Sequence, residues 1–231
     1  MKEIFDAVSK RYDLLNTVMS FGRDKSWRKK VVQVVKAEPK MHILDVCCGT
    51  AELTKEIAKA VGPHGRVTGI DFSEKMLSEA AQKLEKSPLK SNISLLQGDA
   101  LNLPFKDNYF DGATIGWGLR NLADLRQGLR EMYRVVKPGS MVVSIDMGKP
   151  SLPIYKQLYW LYFKKVIPFL GHIWAGKRKE YFYLYQSAQD FKSQIKLVED
   201  FQNCGFVKCG HLNLAGGAIA IVYGQKPESC N

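Results

Sequence analysis

No stretch of this 231-residue chain reaches the roughly 18 uninterrupted apolar residues that a membrane-spanning helix requires. Its five cysteines (Cys47, Cys48, Cys204, Cys209 and Cys230) are odd in number. None shows the C-x-x-C spacing of a zinc site, so a metal centre is not expected, and free thiols in a reducing cytoplasm are the simple reading. The first residues, Met1-Lys2-Glu3-Ile4-Phe5-Asp6, interleave charge with apolar side chains, unlike a secretory signal. Internal repeats and low-complexity tracts are missing. Acidic side chains are in deficit, 23 against 34 basic ones, for a net charge of +11. Such a balance suits an anionic partner, either nucleic acid or an acidic membrane surface, or serves solubility alone. The length of 231 residues suits one α/β domain and leaves room for a second small one, and the hydrophobic share of 45% is that of a globular protein with a real core.

The dinucleotide fingerprint G-x-G-x-x-G is missing as well. In its place stands Ile43-Leu44-Asp45-Val46-Cys47-Cys48-Gly49-Thr50-Ala51-Glu52. An apolar run ends at an acid, breaks at Gly49 and gives way to helical spacing at Leu53, Ile57 and Ala58. That is a buried strand, a tight turn and a helix start, whose open amides favour a polar or anionic ligand. Asp71 lies 22 residues after Gly49, at the end of the next apolar run. An acid at that distance suits the two hydroxyls of a ribose. These two features predict a nucleoside-containing cofactor at the tips of a parallel sheet.

Along the chain, Ile4, Phe5, Val8, Tyr12 and Leu15 recur at helical spacing, and a second helix runs from about Lys25 to Val35. Residues 1–40 thus read as an N-terminal helical cap on a main domain of 41–231. Strands follow at His42–Val46, at the run ending in Asp71, and at Ile93–Gln97, Phe110–Ile115 and Met141–Met147. Helices alternate with them: one to about Val61, one capped at Ser73, and one over Leu122–Val136 that Lys137-Pro138-Gly139 stops. This alternation predicts an open parallel sheet with helices on both faces. Residues from about 149 to 185 break the rhythm with aromatics edged by lysine and arginine. They read as a helical insert after strand five, a lid over the site or a contact with a membrane interface. A helix over Phe191–Cys204 and a hairpin of Phe206–Leu214 with Ala218–Gly224 complete the chain.

Several ordered motifs carry a resemblance. They are I-L-D-V-C-C-G-T-A-E-L, G-I-D-F-S-E-K-M-L, Q-G-D-A-L-N-L-P-F, F-D-G-A-T-I-G-W-G-L-R-N and M-Y-R-V-V-K-P-G-S, with Phe5-Asp6 to Tyr12-Asp13 and Asn16 ahead of them. Together the set resembles the ubiquinone/menaquinone biosynthesis C-methyltransferase family, among the class I S-adenosylmethionine-dependent methyltransferases. The resemblance covers about Phe5 to Gly224. It implies a Rossmann-like class I methyltransferase fold: a mostly parallel seven-stranded sheet ending in a β-hairpin. It also implies S-adenosyl-L-methionine as cofactor, held by Asp45, Gly49, Thr50, Asp71, Phe72, Asp99, Ala100 and Gly116. Arg120 and Asn121 are implied as catalytic, and Tyr12, Asp146 and Tyr181 as substrate contacts. One departure stands out. The family's G-T-G-D reads Gly49-Thr50-Ala51-Glu52, and the Ala51 methyl is expected to crowd the ligand or relax the turn.

The implied reaction moves a methyl group onto a ring carbon of a polyprenylated quinol, with no metal. Demethylmenaquinol is the first choice. Alternatives are a ubiquinone-pathway benzoquinol, another small phenolic or lipid acceptor, or an inactive nucleoside-binding module. An amino-methylating enzyme would show an Asn/Asp-Pro-Pro-aromatic stretch where Gly116-Trp117-Gly118-Leu119 stands, and no nucleic-acid partner is expected. The resemblance further implies a cytoplasmic protein, with peripheral contact to anionic lipid and homo-oligomerisation as open expectations.

Overall fold

The computed structural model describes residues 12–161 and 186–228, without the side chains of Tyr12, Leu14, Leu15, Val18 and Leu158. The substrate candidate Tyr181 and the helical positions Ile4, Phe5 and Val8 lie outside the described residues, as does the side chain of Tyr12. Helices α1 (Tyr12–Met19) and α2 (Asp24–Val34) precede β1 (His42–Val46), α3 (Glu52–Val61), β2 (Arg66–Asp71), α4 (Glu74–Glu85), β3 (Ile93–Gln97) and β4 (Phe110–Gly116). Then come α5 (Leu125–Val135), β5 (Val136–Met147), α6 (Pro153–Leu161), α7 (Gln194–Asn203), β6 (Val207–Leu214) and β7 (Ile219–Gln225).

The seven strands form one sheet in the order β3-β2-β1-β4-β5-β7-β6. The first five are mutually parallel, and β7 runs antiparallel between β5 and β6. The predicted Rossmann-like sheet with a terminal hairpin is therefore present. Its apolar strands are explained by burial on both faces. On β1, Ile43 packs with Val31, Leu53 and Ile57, while Leu44 and Val46 pack on the opposite side with Leu129, Met132 and Phe201. The period-2 alternation of strand side chains puts one core on each face. Val31 and Val35 share the first of these cores, so α2 is fastened to the sheet's own packing.

Three boundaries differ from the sequence expectation. Helix α5 starts at Leu125, because residues Leu119–Asn121 form a 3-10 turn and the Asp124 side chain caps the helix by accepting from Gln127 N–H. The helix does end ahead of Lys137-Pro138-Gly139, at Val135, but that segment lies within β5, which starts at Val136 rather than at Met141. The β4–β5 register shifts between Phe110 and Gly112, so Pro138 falls where no ladder amide is needed. Helix α7 begins at Gln194, after a Ser193 cap, and the described residues 186–190 before it are also helical.

The order of strands reverses between β1 and β4, which makes the crevice at their carboxyl ends the expected ligand site. Among the described residues no helix is long and apolar enough to cross a membrane.

Candidate active site

A cavity of about 300 Å³ opens at those strand ends. Of the sequence-derived candidates, Asp45, Gly49, Thr50, Asp71, Phe72, Asp99, Ala100, Gly116 and Asn121 line it. The three strand-end acids thus meet at one hollow, although they are far apart in sequence.

The turn after β1 is shaped by its neighbours. Gly49 has φ +53°, and a Cβ added there would meet nothing within 4 Å, so its bare face looks into open space. Its N–H donates to Asp71 Oδ2 at 2.8 Å, and Ser73 N–H donates to Asp71 Oδ1 at 2.9 Å. Asp71 therefore ties the β1 turn to the β2 turn. Asp45 lies deeper. Thr54 and Thr114 donate to its two carboxylate oxygens at 2.6 and 2.7 Å. Burial pushes its pKa up to about 6 despite those bonds.

Ala51 behaves otherwise than its sequence position suggests. It adopts the left-handed conformation, φ 65°, and is fully buried against Ala80 and Leu84. It is absent from the cavity wall. Its methyl points away from the cavity, into the packing between α3 and α4. Its consequence is backbone strain, typically about 1–2 kcal/mol for a residue other than glycine.

The loop carrying Asp99 and Ala100 is clamped from α5. Leu101 N–H donates to Asp99 Oδ1, and Leu103 N–H donates to Glu131 Oε2 at 2.7 Å. Arg134 donates to the carbonyls of Leu103 and Phe105 and to Glu131. Its hydrogen bond, and less strongly that of Leu103, holds the Glu131 carboxyl below the usual range against burial.

Beyond β4, a Cβ on Gly118 would lie 2.5 Å from that of Cys47, so only glycine fits where the two turns touch. Arg120 and Asp146 form a buried pair, Nη1 to Oδ1 at 2.6 Å, with side-chain exposures of 5% and 2%. Neither is among the residues lining the cavity. Arg120 Nη1 and Asn121 Nδ2 both donate to the Trp117 carbonyl, at 2.7 and 3.1 Å. Asn121 reaches the cavity directly, and Arg120 stands behind it. Tyr159 of α6 is buried nearby and feels the charges of both members of the pair; burial raises its phenol pKa.

Cys47 and Cys48 also line the cavity. Burial and then the surrounding carboxylates push both thiols well above their ordinary range. They stay neutral at pH 7 and are poor nucleophiles.

Sequence reasoning did not assign Asp13, Asn16 or Arg28 to the wall, yet α1 and α2 bring them there. Thr50 Oγ1 donates to Asp13 Oδ1 at 2.6 Å, and Lys83 of α4 pairs with Asp13. Arg28 donates to Asp24 Oδ2 at 2.5 Å. The N-terminal motif that contains Asp13 and Asn16 was the available signal for those two, and the Asp24–Arg28 spacing of four on a helix was the signal for Arg28.

The sequence pattern of the ubiE/COQ5 methyltransferase family matches residues 1–226. The chain belongs to the ubiE/COQ5 methyltransferase family. Among curated relatives, the demethylmenaquinone methyltransferase of Desulfitobacterium hafniense is 58% identical over 228 residues, 99% of this chain and 90% of that protein. The protein of the same name from Staphylococcus haemolyticus is 46% identical over 226 residues, 98% of this chain and 93% of that protein. Among solved structures, a SAM dependent methyltransferase from Aquifex aeolicus aligns with a TM-score of 0.64 at 22% identity, covering 85% of this chain and 88% of the other. That likeness bears on the fold. Family membership makes the cavity the place to look for methyl-donor binding. Its acid-rich wall suits S-adenosylmethionine, which carries two positive groups and one negative one.

Proposed function

We propose that the chain transfers a methyl group from S-adenosylmethionine to a ring carbon of demethylmenaquinol. The carrying observation is the convergence of Asp71, Asp99 and the Gly49 turn on one cavity in a chain whose 58% identical relative is named for that reaction. S-adenosylmethionine supplies the methyl group on a sulfonium. Asp71, at the tip of β2, is assigned to the ribose hydroxyls. Asp99 and Ala100 are assigned to the adenine, with Phe72 beside them. Gly49, Thr50 and Gly116 are assigned to the methionine half, and Asp45 supports the wall from below.

At the acceptor end, loss of a proton from a ring hydroxyl pushes electron density onto the neighbouring carbon. We assign Asn121, which reaches the cavity, to orienting its oxygen, and Arg120, which stands behind Asn121 on the Trp117 carbonyl, to stabilising that phenolate from behind the wall by its charge. Asp146 holds Arg120 in place, so it acts through Arg120. Arginine remains protonated, so its role is electrostatic rather than that of a base. Tyr12 and Tyr181 remain assigned to the acceptor wall. Residues 1–40 are read as a cap on the methyltransferase domain of 41–231, which closes the cavity to water.

A long isoprenoid tail keeps the acceptor in or near the bilayer, so the reading includes a peripheral visit to anionic lipid by a cytoplasmic protein. Exposed Leu152 just before α6, and exposed Ile154 and Leu161 on it beside exposed Lys156, support it, as does the net charge of +11. Each suitably placed basic residue contributes about 1 kcal/mol at such a surface. Flotation with anionic liposomes should carry the protein upward, and neutral ones should not; equal flotation or none with both counts against the visit. The reaction itself is tested with purified protein, S-adenosylmethionine and short-tailed demethyl-naphthoquinol and benzoquinol. Methylation on carbon of the naphthoquinol is expected. Methylation of neither acceptor, or at oxygen, would refute the assignment.

A further inference from the structure

We propose that Arg28 is the group that grips the carboxylate of the cofactor's methionine half. This rests on reading the cavity as the S-adenosylmethionine site. Among the described residues lining that cavity, Arg28 is the one cation, against five carboxylates: Asp13, Asp45, Glu52, Asp71 and Asp99. The acid-rich wall suits the ligand's sulfonium and ammonium, and leaves its single anion in need of a positive partner.

Arg28 is built for that task. Its side chain is 6% exposed. One end of the guanidinium is fixed on Asp24, which in turn accepts from Ser20 Oγ at 3.0 Å. The guanidinium lies 5.9 Å from the centre of the Trp117 ring. Its Nε is buried with no hydrogen-bond partner. A buried cationic donor without a partner is unfavourable unless a ligand completes it.

Strand order fixes which half of the ligand Arg28 meets. The acids assigned to adenosine, Asp71 and Asp99, stand at or beyond the ends of β2 and β3, on one side of β1. Trp117, against which Arg28 packs, follows the end of β4, on the other side of β1. An elongated nucleoside lying across the strand tips therefore puts its amino-acid end toward Arg28. Wall residue Asn16 adds an uncharged polar group from α1.

The test is calorimetric titration of the whole protein with two probes: S-adenosylhomocysteine, which has the carboxylate, and 5′-methylthioadenosine, which lacks the amino-acid end. The variants are Arg28→Lys and the double variant Arg28→Met with Asp24→Asn, which leaves no buried unpaired acid. Urea unfolding checks that each folds. The double variant is expected to bind S-adenosylhomocysteine about 10–100-fold more weakly, as for loss of a charged hydrogen bond of about 1.5–3 kcal/mol. Arg28→Lys should lie between it and the wild type, and methylthioadenosine affinity should stay within about two-fold throughout. Equal losses for both probes would overturn the proposal and make Arg28 a structural residue. Unchanged affinity for both would also overturn it. Failure of the wild type to bind S-adenosylhomocysteine at all would overturn the cofactor-site reading, and this proposal with it.

Discussion

Asp146 holds Arg120 from two sides: Oδ1 accepts from Nη1 at 2.6 Å and Oδ2 from the backbone N–H at 3.2 Å. The pair joins the end of β5 to the turn after β4. Arg120→Ala is expected to lower kcat by about 10²–10³-fold, in the range of losing one preorganised donor, with S-adenosylhomocysteine affinity unchanged within a few-fold. Steady-state kinetics and calorimetry together decide this. A collapse of cofactor binding with intact folding would place Arg120 at the other end of the site.

Asp45 makes stability depend on acid pH. Its folded pKa of about 6 lies above the ordinary 3.8, so the folded state holds this proton more tightly than the unfolded chain. Its contribution is therefore most favourable below pH 3.8 and is lost as pH rises to about 6. The full loss is roughly 2–3 kcal/mol, from the linkage of about 1.4 kcal/mol per pKa unit. Asp45→Asn removes the titration. The stability of the variant relative to the wild type should rise by that order between pH 4 and pH 7 in urea unfolding. A pH-independent difference would mean that Asp45 titrates normally.

Ala51→Gly relieves the left-handed strain of about 1–2 kcal/mol but gives up a buried methyl worth about 1 kcal/mol. Net stability should change by less than about 1 kcal/mol, and S-adenosylhomocysteine affinity by less than about two-fold. A ten-fold gain in affinity would show that the methyl does reach the ligand.

Arg134 fastens the loop that carries Asp99. Arg134→Ala frees the Leu103 and Phe105 carbonyls and removes two hydrogen bonds from Glu131. The expected result is a rise of about 5–30-fold in KM for S-adenosylmethionine, as for loss of 1–2 kcal/mol of binding, with kcat within two-fold. A matching fall in kcat would place the loop in the chemical step.

The strands were legible because a parallel strand covered on both faces is apolar almost throughout, as Ile43-Leu44 shows, and its acids fall at the carboxyl end, where buried partners such as Thr54 and Thr114 satisfy Asp45. Asp71 and Gly49 were legible for the same reason: turns at strand tips have few residue choices. The early start of β5 at Lys137-Pro138-Gly139 was not legible because the register shift against Phe110 and Gly112, which absorbs the proline, exists only between two strands of the sheet.

The linear order of residues determined the alternation, the acids at the strand ends and the family. What it left undecided were pairings between distant residues. Arg28 stands among Arg23, Lys25, Lys29 and Lys30, indistinguishable by type, and burial on the cavity side singles it out. Asp146 finds Arg120 across 26 positions. The Ala51 methyl turns from the ligand toward Ala80 only because α4 packs there. Local periodicity records which face of an element is buried, whereas the partner it is buried against is fixed when the sheet assembles.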